Sequence, residues 1–169
     1  MPRPASTLLV IPLFLLSACQ GYDYTINDRV VYSPQPLFDD YAITDVALRR
    51  CVEQAIMDGR VTAADQLKAL NCSHAGIAST EGISTFQGLM SLKLSDNKIR
   101  NLVEVGQLLE LRSLYLENNA IIDAVPLAGL PYLTTLELSG NDDLQCPLAG
   151  TLARVTTVVL PDHCGATSN

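Results

Sequence analysis

The sequence predicts an α/β solenoid: a short stack of similar coils, covered at its amino end by a helix. Residues 67–164 repeat at a period of 22. Within each repeat two leucines stand two positions apart, a spacing that puts both on one side of a strand while the residue between them faces the other way. Ahead of the first repeat, apolar residues recur at helical spacing. No 22-residue unit can bury its apolar side alone, so the units must stack and share one core.

The chain opens with Arg3, an apolar stretch from Leu8 to Leu16 interrupted only by Pro12, and then Ser17 and Ala18. That is the layout of a secretory signal peptide. The apolar run is shorter than the roughly 20 residues a membrane-spanning helix needs, so residues 1–18 are expected to be removed. Leu16-Ser17-Ala18-Cys19 resembles the lipobox of bacterial lipoproteins. The resemblance implies cleavage before Cys19 and acylation there, palmitate included; ordinary cleavage nearby would instead leave Cys19 a free thiol. Each buried methylene contributes about 0.8 kcal/mol, so two or three acyl chains would hold the protein at a membrane. In Gram-negative lipoproteins resembling this one, Asp after the cysteine favours the inner membrane, so Gln20 points to the outer membrane and leaves the leaflet open.

Removal of residues 1–18 takes away Arg3 and no acid, leaving 10 basic against 18 acidic residues. Such a surface repels nucleic acid and anionic lipid, which excludes DNA binding and polybasic membrane association. Residues 19–42 contain Tyr22, Tyr24, Tyr32, Pro34, Pro36 and Phe38 without a sustained strand or helix period, and are expected to form a tether whose aromatics could pack on the cap.

Residues 43–66 are expected to form that cap. Thr44 is the expected helix N-cap, Leu48, Cys51, Val52 and Ala55 share one face, and Gly59 is expected to stop the helix. Thr62 and Asp65 then suggest a capping box leading into Leu67.

Five cysteines in an exported chain call for pairing, and lipid on Cys19 removes the odd one. The cap helix would point Cys51 at the core, where Cys72 takes the strand position that Leu94, Leu116 and Leu138 hold in later coils. Cys146 lies in the return segment of the fourth coil, and Cys164 closes the fifth. The expected disulfides are therefore Cys51 to Cys72 and Cys146 to Cys164. The competing arrangement is a metal site of Asp162, His163 and Cys164 with His74. His74 belongs to the opposite end of the stack and an oxidising compartment favours disulfides, so no metal is expected.

The repeats begin at 67, 89, 111, 133 and 155, and residues 165–169 form a small polar tail. The clearest copies start at Leu89, Leu111 and Leu133 and follow L-x-x-L-x-L-x-x-N, ending at Asn97, Asn119 and Asn141. The outer copies, through Leu67, Leu70 and Cys72 and through Val155, Val158 and Leu160, are imperfect. This pattern resembles the leucine-rich-repeat family, and within it the 22-residue internalin type. The resemblance implies a right-handed solenoid with one parallel strand per coil on a concave face and a tighter convex return. Asn97, Asn119 and Asn141 fall where the chain leaves each strand. A buried amide there can satisfy backbone groups of its own and neighbouring coils, which makes this Asn ladder structural.

No Gly-rich phosphate loop, nucleophile elbow or zinc-binding His pair occurs, and the chain has two histidines in all. No enzymatic activity, cofactor or small-molecule substrate is expected. What remains is the outward column Asn71, Lys93, Tyr115, Glu137 and Val159, flanked by Ser91 on one side and Glu117 on the other. Basic groups gather toward the first coils and acidic ones toward the last, with Asp96 the exception. The expected function is recognition of a protein partner by this face, through Ser91, Lys93, Tyr115, Glu117, Glu137 and Val159, with Tyr115 as anchor. A structural or scaffolding envelope lipoprotein without a concave-face ligand, or one that binds through its tether, is the alternative. Host-cell invasion is not implied by the internalin resemblance, because few repeats and no appended immunoglobulin-like, cell-wall-anchoring or catalytic domain are expected from this sequence.

Overall fold

The computed structural model describes residues 37–165 and the backbone of two short strands at 24–26 and 29–32. The expected signal peptide at 1–18, Cys19 and residues 166–169 lie outside them. Two compact units divide the chain, Met1–Pro36 and Leu37–Asn169. In the first, β1 (Tyr24–Ile26) and β2 (Arg29–Tyr32) pair antiparallel, with Ile26 opposite Arg29. This hairpin departs from the featureless tether expected there. Its signal was the β-branched content, Thr25, Ile26, Val30 and Val31, in a stretch too short to show a period.

In the second unit the tether boundary at 42 also moves. Phe38 N–H donates to the Val61 carbonyl at 2.9 Å. Its ring stands 5.9 Å from that of Tyr41 and 5.9 Å, edge on, from that of Phe86, so burial of aromatic surface draws residues 37–42 into the cap.

Helix α1 (Val46–Gly59) buries Leu48, Val52 and Ile56 against the first coil, leaving Cys51 and Ala55 half-buried. Its N-cap is Asp45, not Thr44: Asp45 Oδ1 accepts from the N–H groups of Ala47 and Leu48, whereas Thr44 Oγ1 donates to Glu81. Nor does Gly59 stop the helix. It is the last helical residue, and the left-handed turn falls on Arg60 (φ 49°). Gly59 serves the closure sterically, since a Cβ there would lie 3.2 Å from the side chain of Val61. The expected box at Thr62 closes on Gln66 rather than Asp65, because Gln66 Oε1 accepts from Thr62 N and Oγ1. The longer amide reaches a backbone group four residues back.

Five strands, β3 (Ala69–Asn71), β4 (Ser91–Lys93), β5 (Ser113–Tyr115), β6 (Thr135–Glu137) and β7 (Thr157–Val159), form one parallel sheet in chain order. Leu70, Leu92, Leu114, Leu136 and Val158 stand side by side across it. The repeat period thus sets the register, as an α/β leucine-rich-repeat solenoid requires. Short 3-10 turns at Ile83–Thr85, Val105–Gln107 and Val125–Gly129 carry the return, each burying one residue of the column Ile83, Val105 and Leu127. In the inner coils the strand leucines are fully buried; each such side chain contributes roughly 1.5–3 kcal/mol.

The stack loosens at its far end. In the fourth coil the position of Ile77, Ile99 and Ile121 falls on Asp143, and Leu144 is buried instead. In the fifth, Val155, Val158 and Leu160 are only half-buried. The chain closes with the single turn α2 (Asp162–Gly165). Among the described residues no helix is long and apolar enough to cross a membrane.

Candidate binding surface of the parallel sheet

Because alternate strand residues face alternate sides, the middle residue of each strand enters the core and its neighbours face outward. Asn71, Lys93, Tyr115, Glu137 and Val159 are thereby brought into one line of register partners, and Ala69, Ser91, Ser113, Thr135 and Thr157 into another. With strands about 4.8 Å apart, the central column extends roughly 20 Å. Lys93 Nζ lies 4.9 Å from the centroid of the Tyr115 ring, a cation over an aromatic face. Lys93 and Val159 are exposed, and Tyr115 and Glu137 are half-buried. Beyond the strands, Glu117 accepts a hydrogen bond from Ser95 Oγ, and Glu137 Oε1 accepts from Ser139 N at 3.2 Å. These two carboxylates are therefore oriented by the scaffold. Ser91 stands two residues before Lys93, at the edge of the same face.

Where the chain leaves the strands, the three asparagines bind backbone in one repeated manner. Asn119 Oδ1 accepts from Ile99 N at 3.0 Å, and its Nδ2 donates to the carbonyls of Leu94 (2.9 Å), Leu116 (3.1 Å) and Glu117 (3.2 Å). Asn97 makes the equivalent bonds to Ile77, Cys72, Leu94 and Ser95. Asn141 makes them to Ile121, Leu116, Leu138 and Ser139. Leu94 and Leu116 each offer a carbonyl to two amides, one from their own coil and one from the next.

A second column lies one residue away and was not read from the sequence. His74, Asp96, Asn118 and Gly140 all adopt left-handed backbone, with φ of 57°, 58°, 53° and 68°. His74 Nε2 is 3.3 Å from Asp96 Oδ2, and Asn118 Nδ2 donates to Asp96 Oδ1 at 2.8 Å. The available signal was composition: Asp, Asn, His and Gly are the types that tolerate this region, and here they recur at the repeat period.

The ends are fastened covalently. Cys51 is bonded to Cys72 and Cys146 to Cys164, with Cα separations of 5.8 and 5.3 Å. His163, beside the second bond, places Nε2 2.9 Å from the Leu144 carbonyl. At the amino end Asp45 acts twice, since its Oδ2 accepts from Ala78 N and Ser79 N of the first coil at 2.9 and 3.1 Å. Partial burial raises its pKa most strongly of any single influence, yet the four backbone N–H donors together outweigh it and hold the carboxyl below its ordinary value of 3.8.

No protein-family model and no curated protein matches the chain. Solved structures similar to it include internalin C2 of Listeria monocytogenes, 28% identical over 50% of this chain with a TM-score of 0.45. Another is the internalin InlF of the same organism, 23% identical over 69% of this chain with a TM-score of 0.48. The chain spans 37% and 42% of the length of those two proteins.

Proposed function

We propose that the protein is an exported, lipid-anchored component of the bacterial envelope, held at the outer membrane through Cys19, and that it binds another protein on the outward face of its sheet. The reading is non-catalytic and involves no cofactor, metal or small-molecule substrate. One observation carries the binding part: Lys93 and Tyr115 form an outward cation–aromatic pair at the middle of a parallel ribbon whose opposite side holds the core. Aromatic side chains at the centre of a surface dominate protein contacts. The oriented carboxylates of Glu117 and Glu137 beside the pair favour a partner with basic groups opposite them.

Crosslinking in intact cells, followed by mass spectrometry of the neighbours and of the amino-terminal peptide, tests both parts. A diacylated peptide beginning at Cys19 supports the anchor, and an unmodified thiol there rejects it. Tyr115→Ala and Lys93→Glu should each lower capture of the partner at least about tenfold, the effect of losing roughly 1.4 kcal/mol at a central contact. Unchanged capture by two folded variants would leave the scaffolding reading in place.

A further inference from the structure

At the edge of the sheet where the chain enters β5, β6 and β7, the loops form an open cleft of about 340 Å3 lined by Arg112, Pro131, Tyr132, Leu133, Thr134 and Arg154. Its residues come from two successive coils, on the segments that enter three neighbouring strands, with Tyr132 and Arg154 at the same repeat position one coil apart. The backbone around it is already engaged. The Arg112 carbonyl accepts from Thr134 N (2.9 Å), Thr135 N (3.0 Å) and Thr134 Oγ1 (3.1 Å), so the cleft has a fixed wall. Leu133 is buried, whereas Tyr132 is 54% exposed, and Leu109, at the repeat position of Pro131, is 53% exposed. Among the described residues neither Arg112 nor Arg154 has a carboxylate within salt-bridge distance; the side-chain contacts of that kind are Arg49 with Glu53 and the imidazole of His74 with Asp96. On a chain with 18 acidic against 11 basic residues, two arginines line one cleft that no acid lines.

We infer that this cleft docks an acidic peptide segment in which a carboxylate neighbours an aromatic or aliphatic side chain. The guanidinium fork matches a carboxylate and presents donors in a plane. Tyr132 and Pro131, both exposed, supply apolar surface that an inorganic anion could not use and an apolar side chain could. Nucleic acid is disfavoured by the net charge of −7. The site is separate from the Lys93–Tyr115 pair and does not depend on it.

The test uses the purified protein and the fluorescein-labelled peptide Gly-Glu-Phe-Glu-Gly-Ser, read by polarisation at low salt. Controls are the Gln-for-Glu and Gly-for-Phe peptides. Both guanidinium groups are exposed and make no side-chain hydrogen bond among the described residues, so R112Q/R154Q should fold as the parent does, checked by its melting temperature. The expected result is saturable binding of the acidic peptide, weakened at least about tenfold by R112Q/R154Q, by either control change, or by about 0.5 M salt. Tyr115→Ala should leave it unchanged. No binding, equal binding of the Gln peptide, or indifference to R112Q/R154Q would overturn the inference. Equal binding of the Gly-for-Phe peptide, or equal displacement by inorganic phosphate, would reduce the cleft to a general anion site and overturn it also. Loss on Tyr115→Ala alone would assign the peptide to the sheet face, rejecting the cleft while sparing the proposed function.

Discussion

At the scale of single residues, the asparagine ladder shows how an amide too polar for a core becomes the residue a core position requires. Each asparagine fills one backbone N–H and completes carbonyls on two coils, and among the described residues no buried side-chain polar atom lacks a partner. Asn141 is the most exacting case, being fully buried. Asn141→Ala would strand Ile121 N–H and remove a donor from Leu116, Leu138 and Ser139 at once. Leaving a buried group unsatisfied costs about 1–3 kcal/mol, so a loss near 3 kcal/mol is expected, measured by urea unfolding. A loss below about 1 kcal/mol would mean that water replaces the amide. The adjacent left-handed column predicts an asymmetry. A Cβ on Gly140 would come within 2.1 Å of Asn118 Oδ1 in a backbone conformation (φ 68°) that disfavours side chains. Gly140→Ala should therefore destabilise by roughly 1–2 kcal/mol. Asn118→Gly, which removes a Cβ from the same kind of position, should cost less, and equal costs would contradict the steric account.

At the scale of elements, the cap is held to the stack by a carboxylate as well as by apolar contact. Asp45 starts α1 with one oxygen and grips the first coil with the other, and its pKa is lower in the folded chain than in the unfolded one. A depressed folded pKa gives stability that is fully present above the unfolded value and is lost as pH falls through the folded one. The melting temperature should accordingly fall below about pH 4, where an unfolded aspartate begins to bind its proton. Asp45→Asn should flatten that part of the profile; an unchanged acid slope would assign it to other carboxylates. Asp45→Ala should cost about 1 kcal/mol at neutral pH, as loss of an N-cap does. That the sequence points to Thr44 instead has a physical source. Threonine and aspartate are adjacent and both cap well, and what selects Asp45 is the second set of donors, Ala78 and Ser79, more than thirty residues away.

At the scale of the whole molecule, what could be read in advance was whatever repeats. Leu92, Leu114 and Leu136, the outward column and the ladder all follow from a period of 22, because a solenoid turns sequence distance into spatial contact at a fixed step. Of the features that escaped, the left-handed column does repeat, but its residue type changes from coil to coil through His74, Asp96, Asn118 and Gly140; the others do not repeat. The hairpin β1–β2 is too short to show a period, Leu144 slips one place out of phase, and the cleft around Tyr132 combines residues whose common location appears only once the segments entering β5, β6 and β7 lie side by side. Nearest-neighbour stacking also makes the stability of each coil local, so the two disulfides should not be equivalent. The bonds join residues 21 and 18 positions apart, and the chain-entropy model gives each about 3 kcal/mol. Cys51–Cys72 fastens a cap that already has a buried helix face and Asp45. Cys146–Cys164 fastens a coil whose Val155, Val158 and Leu160 are half-buried and whose strand has a neighbour on one side only. Replacing Cys146 and Cys164 by serine should free the last coil first, and hydrogen exchange would show it. The amides of Leu138 and Thr157, which donate to Val159 and Thr134, should lose protection while that of Leu94, which donates to Tyr115, keeps its own. Uniform loss along the sheet would mean that the stack unfolds as one unit and that its far end is as firmly held as its middle.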